Sequence, residues 1–158
     1  MSDRQRSKAK LSQAVVQRWV SICKMLLRLL EQWDALKSVY VSKDELFPLA
    51  KLRKEFEEVY SIVKPIKDIT VYSQTTHEPT GEEGLRRVVV LLTVTLEPGV
   101  PLLVEHVPVI SAADTGAATH TMTPHEDLTS TGGKTREAFA TAVAKRLLPR
   151  YSENGLHA

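Results

Sequence analysis

At 158 residues the chain has the length of one ordinary domain, enough for a single hydrophobic core and short for two. Lys and Arg number 21 against 19 Asp and Glu, and the resulting charge of +2 gives no strong pull toward nucleic acid or an acidic membrane. The single cysteine, Cys23, excludes an internal disulfide and, beside Ile22, Met25 and Leu26, reads as a small buried hydrophobe of an intracellular protein.

Residues 1–10 hold Arg4, Arg6, Lys8 and Lys10 against Asp3 and read as a basic flexible arm, able to touch phosphate or simply to lie in solvent. A helical domain is expected over 11–97. From Leu11 on, Val15, Trp19, Ile22, Cys23, Leu26, Leu29, Leu30, Trp33 and Leu36 recur at three- and four-residue steps. That spacing puts them on one face of a long helix ending near Tyr40. Ser42 to Glu45 spells a capping box, in which a Ser and a Glu side chain each satisfy a free N–H at a helix start. The second helix carries Leu49, Leu52, Phe56, Val59, Tyr60, Val63, Ile66 and Ile69 on one stripe, with a kink or restart expected at Pro65. Two such helices joined by a short polar connection predict an antiparallel hairpin with facing apolar stripes.

A turn at Pro79 to Gly81 leads into the apolar run from Leu85 to Leu96. Its β-branched content suits a buried strand, but its length and the acidic start at Glu82 and Glu83 favour a helix, the expectation adopted. Residues 98–133, rich in Pro, Gly and Thr, read as a long loop or linker; 134–151 read as a C-terminal helix stopped by Pro149, and 152–158 as a tail. The expected fold is therefore mainly α: a long antiparallel helical hairpin, one or two further helices and a long irregular loop. Arg28, Glu31, Asp34 and Glu97 interrupt every apolar stretch that could reach membrane-spanning length, and the charged start is unlike a secretory signal.

Chemistry has few anchors. Gly133-Lys134-Thr135 resembles the end of a phosphate-binding loop, but Leu128 stands where that loop needs glycine, so a Gly-Gly turn into a helix is the better reading. One Cys and five His without a shared helical spacing make no zinc site; His120 and His125 read as solvent-facing loop residues. No Gly-x-Ser-x-Gly elbow occurs, and Asp34, Asp44, Glu45, Glu55, Glu57, Glu58 and Asp68 read as exposed charge beside amphipathic helices. No catalytic residue, metal ligand, cofactor or small-molecule substrate is assigned.

The block Arg18-Trp19-Val20-Ser21-Ile22-Cys23, continuing through Leu30 and then Glu31 to Leu36, resembles the Arg-Trp motif of hAT-type transposases. Phe47-Pro48-Leu49 and the stretch from Tyr60 to Thr70 are in keeping, so the resemblance covers residues 15–76; Val16 and Gln17 depart from the Asn or Thr usual before the Arg. In that family a ribonuclease H-like core is interrupted by a helical insertion that carries the motif, and this chain resembles the insertion, with no counterpart of the three catalytic carboxylates. The resemblance implies a catalytically inactive, transposase-derived fragment, nuclear in location, that binds DNA through Arg18 on phosphate and Trp19 stacked on an unpaired base. Spacing alone requires nothing more than that Trp19 pack in the core, four residues after Val15. The alternative expectation is a helical protein–protein interaction module that binds a partner through an apolar helix face and does not bind DNA.

Overall fold

A computed structural model describes residues 3–75, 81–110 and 116–146. The elements are α1 (Asp3–Glu31), α2 (Trp33–Ser42), α3 (Arg53–Thr75) and α4 (Gly81–Val90), the last continued by a π-helical turn over Leu91–Thr95. There follow β1 (Leu102–His106), β2 (Thr119–Thr123), a 3-10 turn at His125–Asp127 and α5 (Ser130–Arg146). The mainly helical expectation holds, and α1 and α3 form its hairpin. Their antiparallel sense is seen at the start of α3, where the Arg53 guanidinium donates to the Leu30 carbonyl near the end of α1 at 3.1 Å.

Two clusters make up the core. Leu26 and Leu30 of α1 pack on Tyr60 of α3 and on Val107. Ile62, Ile66 and Ile69 on the other side of α3 pack with Val88, Leu91, Leu96, Leu102, Val104 and Val143, so α3 is the central element. A helix apolar on two sides must be covered on two sides, here by α1 and by the α4, hairpin and α5 layer. α3 runs through Pro65 with no restart; burial of Ile62, Val63 and Ile66 around it outweighs the one backbone bond that proline cannot make.

Several local expectations are corrected. The basic segment read as a flexible arm is helical backbone from Asp3 on. The single first helix turns at Gln32 (φ −97°, ψ 14°), which swings buried Trp33 edge-on to Phe47 and Phe56, with centroids at 5.2 and 6.1 Å. The capping box does not form. Ser42 ends α2, with its hydroxyl donating back to the Val39 carbonyl at 2.7 Å, and Asp44 adopts a left-handed φ of 56°. The Asp44 N–H then bonds Val41 O and the Glu45 N–H bonds Tyr40 O, the paired bonds that close a helix C-terminus. Consequently α3 begins only at Arg53, and Leu49 and Leu52 lie in the preceding turns.

The largest correction concerns 98–133. Leu102–His106 and Thr119–Thr123 form an antiparallel hairpin with Leu102 opposite Thr123, Val104 opposite Thr121 and His106 opposite Thr119. Leu102 and Val104 point into the core and Leu103 points out, the two-residue alternation of a strand, too short to stand out among prolines and threonines. α5 starts at Ser130, before the predicted 134, so the Gly-Gly pair lies inside its first turn. Thr129 caps it, its hydroxyl accepting the Gly132 N–H at 3.1 Å. The part of the last helix expected over 147–151, the tail, and residues Pro79 and Thr80 of the predicted turn lie outside the described residues. Among the described residues no helix is long and apolar enough to cross a membrane.

Candidate nucleic-acid interface

α1 buries Cys23, Leu26 and Leu30 against its neighbours, and burial pushes the Cys23 thiol above its ordinary pKa. At 100° per residue that inner stripe dictates what faces out: Gln17, Arg18, Ser21, Lys24, Met25, Arg28 and Gln32 are all exposed. The exposed residues of this face include three cations and no carboxylate, and half-buried Glu31, two turns on from Lys24, borders it. Arg18 and Arg28 are ten residues apart, about 15 Å along the axis, a length over which duplex DNA carries about nine charges. Among the described residues none of the three cations forms an ion pair, whereas Arg53, Lys64, Lys67, Arg86 and Arg87 each have a carboxylate partner. Met25, 61% exposed, is the one apolar side chain on the face.

The two residues singled out by the Arg-Trp motif part company here. Arg18 is exposed on the cationic face. Trp19, one residue and 100° further round, is half-buried with its ring 5.4 Å from that of Phe139 on α5, inclined at 59°. That contact fits packing, since a tilted pair at this separation is a favourable aromatic geometry.

A polar chain beside the hairpin was hidden in the sequence. The Nδ1 of His106 lies 2.6 Å from Glu57 Oε2 and its Nε2 lies 2.7 Å from the Thr121 hydroxyl, while Glu57 Oε1 pairs with Arg53 Nε at 3.2 Å. A hydroxyl, an imidazole and a carboxylate in line can in principle activate the hydroxyl as a nucleophile. In this molecule each bond also ties one element to the next. Glu57 with His106 joins α3 to β1, His106 with Thr121 joins β1 to β2, and Arg53 donates to Leu30 O and to Val107 O. The chain borders a cleft of about 290 Å³ lined also by Lys54, Glu58 and Val104.

Glu57 and Glu58, read from sequence as exposed charge, are both buried, because the hairpin and α5 cover that side of α3. Glu58, 1% exposed, accepts the Thr129 N–H at 2.7 Å and so places a carboxylate at the positive end of α5. His120 is exposed, as expected, though on a strand, and lies 3.4 Å from Glu105; His125 is half-buried and lies 3.4 Å from Glu137. Among the described residues no group of three or more His, Cys, Asp and Glu is placed to hold a metal ion. Comparison with known protein families, with curated proteins and with solved structures finds no match to this chain.

Proposed function

We propose that this chain is a non-catalytic nucleic-acid-binding unit that lays the outer face of α1 against the phosphate backbone. The observation that carries this reading is the set of exposed α1 residues between Gln17 and Gln32, which includes Arg18, Lys24 and Arg28, unpaired among the described residues, and no exposed acid. Arg18, Lys24 and Arg28 serve as phosphate contacts that position the unit and are indifferent to sequence. Trp19 acts at one remove, by fixing α1 to α5 through Phe139. The reading agrees with the resemblance to the helical insertion of hAT-type transposases, and it puts the protein with nuclear DNA. Fluorescence anisotropy with a labelled duplex of about 20 base pairs tests it at low salt. Replacing Arg18, Lys24 and Arg28 together by Ala should weaken binding by about tenfold or more. Absence of binding by the unaltered chain, or equal binding by the triple variant, overturns it.

A second reading, a helical module for a protein partner, is favoured by Val89, Val90 and Val94, which lie exposed on the outer side of α4 and the π turn. It separates from the first by experiment: changing these valines to Ser would abolish partner capture and leave DNA affinity alone.

A further inference from the structure

β2 is bonded to β1 along one edge and, among the described residues, to no strand along the other. Thr119 to Met122 are exposed on both faces of the strand, and Thr123 is half-buried. Open edges in proteins are commonly guarded by Lys, by Pro within the strand or by a bulge. Thr-His-Thr-Met-Thr has none of these, and its three β-branched threonines favour extended backbone. Read outward from Thr121, the strand is nearly the same in both directions.

We propose that this edge pairs antiparallel with β2 of a second copy of the chain, about a two-fold axis through Thr121, giving a four-stranded sheet. Thr119 then faces Thr123 of the second copy, Thr121 faces its counterpart, and His120 faces Met122. On the outer face the register already sets Leu103 beside Met122 and Glu105 beside His120. Leu103 and Met122 are 52% and 56% exposed, and His120 lies 3.4 Å from Glu105. The two-fold axis places the apolar pair of each copy in line with the His-Glu pair of the other, and brings the two Met122 side chains together on the diagonal. Cross-strand Thr-Thr contacts line the opposite face. The near-symmetry of the edge is what selects a second copy over an unrelated strand, because a self-pairing surface must be complementary to itself.

A five-residue edge supports only weak association, so the measurement is sedimentation equilibrium of the full chain from about 10 μM to about 1 mM. Dimer should accumulate over that range. Thr119→Lys with Thr123→Lys sets Lys opposite Lys in both outer pairs and should weaken the dimer about tenfold. Thr119→Lys with Thr123→Glu sets Lys opposite Glu and should restore it. Thr119 is exposed and Thr123 is half-buried at the cleft lined by Lys54 and Glu57, so equal melting temperatures are required of each variant as proof that it folds. A monomer at every concentration overturns the proposal, as does a dimer that both variants form equally well.

Discussion

Arg136 offers a sharp test of the packing argument. It is 0% exposed, yet among the described residues no carboxylate pairs with it. Its Nε donates to Thr95 O at 2.9 Å, and one terminal nitrogen donates to Val100 O at 2.6 Å and Val94 O at 3.3 Å. Two of these carbonyls end the α4 and π segment, where no following turn supplies N–H donors and the helix dipole is negative. Backbone dipoles therefore compensate part of the guanidinium, whose other terminal nitrogen is buried with no hydrogen-bond partner among the described residues. Burial still lowers its pKa from the usual arginine value, with Glu97 pulling the other way. In Arg136→Met the aliphatic stem is kept and every donor is lost. Three charge-assisted bonds at about 1.5–3 kcal/mol each are removed. Against that stands relief of several kcal/mol of desolvation, and the Val94 end is near enough to solvent to be rehydrated. The net cost is then about 2–4 kcal/mol, or a fall in melting temperature of roughly 4–16 °C. Urea and thermal melts followed by circular dichroism give the number, and Arg136→Lys should fall between the two. An Arg136→Met protein as stable as the original would refute the idea that this cation holds the α4 terminus to α5.

Asp44→Gly removes the side-chain penalty at φ 56° and should stabilise the protein by about 0.5–1 kcal/mol, read from the urea midpoint at constant slope. Gly132→Ala should do the reverse: its Cβ would lie 2.6 Å from Glu58 Oε1 and 3.2 Å from Glu58 Cβ, and Glu58 is held by Thr129, so a loss of about 1–3 kcal/mol in the same melts is expected. Tyr60 is pushed up to about 12, first by burial and then by Glu105. Above pH 10 the unfolded chain gives up this proton before the folded one does. Its contribution to stability is thus intact below pH 10 and drains away as pH rises toward 12, which melts at stepped alkaline pH will show and Tyr60→Phe will abolish.

How much of this could be read beforehand depends on the physical length of each signal. α1 and α3 repeat their apolar steps over many turns, so the hairpin was legible. The acidic start at Glu82 and Glu83 correctly tipped the valine-rich run toward helix. β1 offered a period of two over only five residues, and β2, exposed on both faces, has no inward side to betray it. Glu57, His106 and Thr121 meet only through the hairpin register and its packing on α3, so no local spacing could have joined them. The weak trace they did leave is the alternation Leu102, Val104, His106 against Thr119, Thr121, Thr123. Arg18 and Trp19 show that neighbours in a motif need not share a face, since one helical step sends the first outward and the second toward Phe139.

The role assigned to α1 is tested most directly by how DNA affinity changes with salt. Each phosphate neutralised on a duplex adds about 0.9 to the slope of log affinity against log salt, so replacing Arg18, Lys24 and Arg28 with Ala should flatten that slope by about 2.7. An unchanged slope would mean that α1 does not meet the phosphates.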